Sequence, residues 1–227
     1  MSKWICTIFL LFLAGIFQGQ TVLYSENFNS SLNTCTAVNG SSANWVWNNS
    51  CARSGLTGHS PPGAALFIGV NCFFGNQFQT VSGNLISPTI AIGQAGGVLT
   101  FNYFRQGETQ FYWDVLSVQV SNNNGATYTT ILSTASGGGL IGYAMNTPTQ
   151  SLVWNQACFN LSSYINQTVT LRFNFNSLDG ILNDYDGVYV DDIVITEPYS
   201  LNVAQSANSV CPGTAVTLST NAVGGYS

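Results

Sequence analysis

Residues 169–175 alternate without a break. Val169, Leu171, Phe173 and Phe175 fall on one face of an extended strand, and Thr170, Arg172 and Asn174 on the other. The same period recurs at 98–104, with Leu99, Phe101 and Tyr103 aligned, and at 114–120, with Leu116, Val118 and Val120 aligned. The last run leads into SNNNGATYTTIL, where Asn124-Gly125 is a strong hairpin-turn signal and 128–132 returns. Residues 22–28 open the series and 188–195 close it, and no helical stripe of useful length interrupts them. Many short strands with Gly- and Asn-rich turns predict an all-β fold, a two-sheet antiparallel β-sandwich of the jelly-roll type. Two longer connections, 105–113 (RQGETQFYW) and 133–150, are expected to carry function or motion.

The closing strand, GVYVDDIVI, breaks its own pattern. Successive residues point to opposite faces, so a strand apolar on both sides buries at least one of Asp191 and Asp192. A buried, unpaired carboxylate is costly. Glu26 repeats the anomaly in the opening strand, where it shares a face with Tyr24 and Phe28. Five of the nine acids, Asp179, Asp184, Asp186, Asp191 and Asp192, lie within 179–192. Such clusters are ordinarily solvated faces, but a solvated face does not interrupt an apolar strand. Either the acids accept hydrogen bonds from loop backbone, or they hold a cation.

The ends of the chain read differently from its middle. MSKWICTIFLLFLAGIFQGQ has one lysine, a short apolar run and a polar end, the plan of an export signal over 1–20. No later segment is apolar enough for a membrane helix, so no insertion is expected once the signal is removed. Arg53, Arg105 and Arg172 are then the only basic residues, which excludes nucleic acid as a partner. After 21–197, residues 198–207 read as a linker. Residues 208–227 begin a new strand pattern too short for a module of its own, so the chain is expected to be part of a longer protein, with the partner of Cys211 beyond Ser227. In an exported chain Cys35, Cys51, Cys72 and Cys158 suggest two disulfides out of three possible connectivities. Cys35–Cys51 is favoured, its short loop contributing about 3 kcal/mol, with Cys72–Cys158 as the second; free buried thiols are the alternative.

Six segments occur in an order that carries a resemblance: SENFN (25–29), LISPTIAIG (85–93), LTFNYFRQG (99–107), DVLSVQVSNNNGATYTTI (114–131), FNLSSYINQTVTLRFNF (159–175) and GVYVDDIVI (187–195). Together they resemble the MAM-like, concanavalin-type jelly-roll modules of secreted Bacteroidetes proteins, over residues 21–197. The tail SVCPGTAVTLST resembles the start of an Ig-like or PKD-like repeat. The cysteines depart from the animal MAM pattern, so homophilic receptor adhesion is not carried over. The resemblance implies paired first and last strands and a structural Ca²⁺ held by acids from both. Here those acids are Glu26, Asp191 and Asp192, with Asp192 expected to turn toward Glu26.

Catalytic signatures are sparse. His59 is the single histidine, and neither G-x-S-x-G nor H-E-x-x-H occurs. Glu26, Glu108 and Asp114 offer carboxylates for glycoside hydrolysis, but acids are so few that Glu108 reads as a loop residue. Jelly rolls present aromatics to ligands, and Phe111, Tyr112 and Trp113 are the candidates, with Phe73 and Phe74 behind them; each equally suits a core. Trp45, Trp47 and Trp154 read as packing residues. The chain is therefore expected to be a non-catalytic extracellular binding or adhesion module for carbohydrate or protein. An accessory domain of a secreted metallopeptidase and a ligand-free spacer are the alternatives.

Overall fold

A computed structural model describes residues 20–38, 43–48, 64–69, 80–107, 113–135, 139–140, 143–144, 154–181, 187–197, 203–205 and 218–220. Thr21–Pro198 form one compact unit. Its strands begin with β1 (Val22–Glu26), β2 (Thr36–Val38), β3 (Ala43–Asn48), β4 (Ala64–Gly69), β5 (Ser82–Ile86) and β6 (Ile90–Ala91). They continue with β7 (Val98–Gly107), β8 (Val115–Ser121), β9 (Thr129–Ser133) and β10 (Tyr143–Ala144). β11 (Asn155–Asn160), β12 (Thr168–Asn176) and β13 (Gly187–Thr196) complete the unit. Outside it, β14 (Val203–Gln205) and β15 (Leu218–Thr220) form an antiparallel pair.

The unit is a two-sheet β-sandwich. The larger, seven-stranded sheet runs β10-β7-β13-β4-β3, with β1 also on β13 and β11 also on β7. The smaller, six-stranded sheet runs β2-β5-β12-β8-β9, with β6 also on β12. The opening and closing strands pair antiparallel, Glu26 opposite Ile193 and Val22 opposite Thr196. No helix among the described residues is long and apolar enough to cross a membrane.

Alternation builds the core. Leu99, Phe101 and Tyr103 of β7, and Val188, Val190, Ile193 and Ile195 of β13, meet Leu171, Phe173 and Phe175 of β12 and Leu116, Val118 and Val120 of β8. The rings of Phe101 and Phe173 meet edge to face at 5.1 Å and join the two sheets. Each fully buried side chain of this kind contributes about 1.5–3 kcal/mol over its exposed state. At the β8–β9 turn Asn124 and Gly125 both take positive φ, 57° and 82°, with the Ala126 N–H donating to the Asn123 carbonyl. That is the mirror-image turn that suits strand twist, and Asn and Gly are the residues that tolerate it.

Candidate functional site

The acids that stand out in the sequence occupy three different settings. Glu26 is 4% exposed and lies on the core side of its sheet, opposite Ile193. Its Oε1 accepts from the Phe28 N–H (3.0 Å) and Asn33 Nδ2 (2.6 Å), and its Oε2 from the Thr34 N–H (3.2 Å) and Thr34 Oγ1 (3.0 Å). Four donors match the four lone-pair positions of a carboxylate. Glu26 therefore organises the loop between β1 and β2, and the fully buried Phe28, held at φ 48°, is part of what it fixes.

Asp191 and Asp192 lie where the β7–β13 register slips, Asp191 opposite Asn102 but Val194 opposite Thr100. Two residues, Asp192 and Ile193, face Phe101 alone, which is a β-bulge. Asp192 takes φ 49°, a left-handed conformation that aspartate tolerates better than most residues. Its backbone N–H donates to Asp191 Oδ1 (2.8 Å), and its Oδ2 accepts from Asn102 Nδ2 (3.1 Å). Asp191 is fully buried and shares with Tyr189 the side of the sheet away from Ile193 and Glu26. The sheet thus stands between Glu26 and Asp191. Among the described residues no three His, Cys, Asp or Glu side chains gather to hold a metal ion.

The third setting is at the far end of β7, and it holds a residue that motif reading passed over. Arg105 is fully buried, and its Nε donates to the Asp114 carbonyl (3.0 Å) and its Nη2 to the Trp113 carbonyl (2.7 Å). It ties the last turn of β7 in one sheet to the start of β8 in the other. A signal was available: the alternation that puts Leu99, Phe101 and Tyr103 in the core continues to Arg105. Asp114, 1% exposed and at φ 51°, is part of this brace. A Cβ on Gly107 would come within 2.6 Å of Asp114 Cβ, so only glycine fits beside it. Trp113, expected to stack on a ligand, is half-buried with its backbone held by Arg105.

Several expected residues lie outside the described residues: Phe111 and Tyr112, Phe73 and Phe74, Glu108, His59, Asp184 and Asp186, and both Cys51 and Cys72. Cys35 and Cys158, their expected disulfide partners, carry free thiols, Cys35 buried and Cys158 exposed. Burial pushes the Cys35 thiol up to about 11, with the charge of Glu26 adding to the rise and a hydrogen bond from Tyr24 partly offsetting it. Tyr24 Oη lies 3.3 Å from Cys35 Sγ, and burial together with Cys35 raises its hydroxyl well above the usual phenol range.

The two outer faces of the sandwich differ. On the large sheet, Phe104, Tyr189 and Trp154 form an aromatic cluster with centroids 5.4–6.5 Å apart, and Asn102 and Gln106 beside it are buried. On the small sheet the outer face is half-exposed and polar. There Asn174 Nδ2 donates to Asn84 Oδ1 (2.8 Å), Arg172 Nε to Gln119 Oε1, and Gln119 Nε2 to Thr130 Oγ1 (3.2 Å). The Arg172 guanidinium lies 3.7 Å over the Tyr128 ring.

No family model and no curated protein matches this chain by sequence. Solved structures do match by fold. The K3 cleaved adhesin domain of Lys-gingipain from Porphyromonas gingivalis W83 superposes with a TM-score of 0.53 at 16% identity, over 78% of this chain and 99% of that one. The K1 cleaved adhesin domain of the same protein gives 0.51 at 17% identity, over 78% and 98%. The chain shares the fold of these adhesin domains. At such identity the likeness concerns architecture, and the side chains described above have to carry any functional reading.

Proposed function

We propose that this chain is a non-catalytic, exported binding or adhesion module that recognises an extracellular carbohydrate or protein. What supports the reading is where the reactive-looking groups go. Glu26, Asp114 and Asp191 are all buried in the framework, and Glu26 is saturated by loop donors. General acid–base work needs a carboxylate within reach of a substrate, whereas the half-exposed polar surface of the small sheet is suited to holding a ligand without altering it. The name adhesin attached to the gingipain domains agrees with this reading. The test is direct binding of the exported chain to arrayed glycans and to extracellular matrix proteins. Saturable binding to either supports the proposal, and a blank on both overturns it.

A structural Ca²⁺ is carried as part of the same proposal, in a narrower form. Glu26 does not fit as a ligand, since protein donors already fill its oxygens. Asp191 and Asp192 are the candidate ligands, adjacent carboxylates on one bulge that accept from the Asp192 N–H and from Asn102 respectively, and calcium takes oxygen ligands of that kind. A cation bound only by the folded state raises the melting temperature by mass action. Calcium should therefore raise it, EDTA should lower it, and Asp192→Ala should abolish the difference. A melting curve indifferent to calcium and EDTA ends the metal proposal.

A further inference from the structure

We propose that the outer face of the small sheet binds an acidic polysaccharide, with sugar carboxylates on Arg172 and sugar hydroxyls on the flanking amides. This deepens the binding reading above and rests on it.

The face is built by register. Asn84, Asn174, Ser117 and Ser133 lie side by side across β5, β12, β8 and β9. Two residues along β5, β12 and β8, and three along β9 where the register shifts, Ile86, Arg172, Gln119 and Thr130 make a second row. With strands about 4.8 Å apart and about 3.4 Å per residue, the second row spans roughly 14 Å, the open part of the first, whose β9 end at Ser133 is buried, roughly 10 Å, and the rows lie about 7 Å from one another. That is a strip wide enough for a short run of sugar rings.

The side chains on it are already ordered. Asn174 is bonded to Asn84, Ser117 Oγ lies 3.3 Å from Ser133 Oγ, and Arg172, Gln119 and Thr130 form a relay across three strands. Each amide keeps donors or acceptors beyond these bonds, and a side chain fixed beforehand loses less freedom when a ligand arrives.

Charge selects the ligand class. The six strands of this sheet contain no aspartate or glutamate, and Arg172 is their single charged residue, in a chain with nine acids and a net charge of −5. The Arg172 guanidinium is fixed by Gln119 through Nε and by the Tyr128 ring beneath it. Its Nη groups hydrogen-bond to no described residue, and a guanidinium fork of this kind matches a carboxylate in bidentate fashion. One arginine is too little for nucleic acid. Protein partners need aromatic or aliphatic anchors at the centre of a contact, and the centre of the two rows offers only Ile86, with Val38 of β2 and Tyr128 at the margins. A polyhydroxylated polymer carrying carboxylates satisfies both the amides and the arginine.

The test compares the full chain on polygalacturonate and on neutral galactan by isothermal titration and affinity electrophoresis. Polygalacturonate should bind, should weaken as salt rises, and should exceed galactan by tenfold or more. Arg172→Gln should lose at least tenfold on polygalacturonate, and Arg172→Lys, which keeps the charge but not the fork, should lose several-fold. Asn84→Ala with Asn174→Ala should weaken it several-fold, and Trp113→Ala should leave it unchanged. Variants are compared only where their melting curves match the parent's; if Arg172→Gln unfolds, the amide pair and Arg172→Lys decide. Preference for galactan, or binding lost in Trp113→Ala but kept in Arg172→Gln, overturns this inference and leaves the broader reading standing. Binding to neither polymer overturns the inference, and if the glycan and matrix-protein arrays are blank as well, the broader reading falls with it.

Discussion

The outer faces of the two sheets come from strands of similar alternation, yet they have opposite fates. On the large sheet, Asn102, Phe104 and Gln106 of β7 and Tyr189 and Asp191 of β13 are all buried, though they point away from the core between the sheets. On the small sheet, Asn84, Ser117, Gln119, Arg172 and Asn174 remain half-exposed. The large sheet therefore has apolar and polar groups packed on both sides, and the small sheet on one. The polar residues follow suit. Those on the large sheet serve geometry, as Asn102 does for the bulge, whereas those on the small sheet are joined to one another and face outward. A buried polar group has to be satisfied by the protein itself, and a half-exposed one remains free for a partner.

That contrast can be broken by mutation. Tyr189→Ala should be the most damaging change, because it removes the centre of the aromatic cluster on the large sheet. A loss of about 4 kcal/mol in denaturant unfolding is expected for an aromatic truncated in a core, and a loss below about 1 kcal/mol would show that this face is not a second core. Glu26→Ala comes next. It strands two backbone N–H groups and two side-chain donors at the β1–β2 loop, at a cost on the order of 3 kcal/mol.

Third is the alkaline limb of the stability curve. Cys35 and Tyr24 hold their protons more tightly folded than unfolded. The unfolded chain therefore releases them first, starting near a thiol's ordinary 9.0. Stability should be level below that and fall as pH climbs toward 11, by up to about 1.4 kcal/mol per pH unit for each proton. Cys35→Ala should flatten part of the slope, and an oxidised Cys35 would remove the same part. The smallest effect belongs to the open face: Asn174→Ala should shift stability by no more than about 0.5 kcal/mol. A large loss there would erase the distinction between the two faces.

Much of this architecture was legible in the residues. Strict period-two runs located β7, β8 and β12 to within three residues at their ends, because one face of each is apolar and the pleat does the rest, and a run apolar on both sides located β13 to within one residue. The pairing of first and last strands followed from the resemblance. The bulge did not follow from anything local. Asp191 and Asp192 marked the strand as odd, but a slipped register is a property of two strands, and Phe101 and Asn102 lie far away in sequence. Glu26 was flagged as anomalous for the right reason, burial, and its donors are loop residues whose positions alternation does not specify. The polar row at Thr170, Arg172 and Asn174 was visible as a face. Its chemistry emerges only when β5, β8 and β9 bring Asn84, Gln119 and Thr130 alongside.

The pairing of β1 with β13 also fixes how a load would travel through the domain. Val22 stands opposite Thr196, and the Glu197 N–H donates to the Thr21 carbonyl, so the chain enters and leaves at neighbouring points on one edge. A pull on the two ends therefore meets the β1–β13 hydrogen bonds one after another, as in opening a zip, instead of all at once. β1 would part first and lengthen the tether, while the sandwich behind it stayed closed. Under such a pull the weakest seam lies where the chain is gripped, in the sheet opposite to the one that carries the polar face.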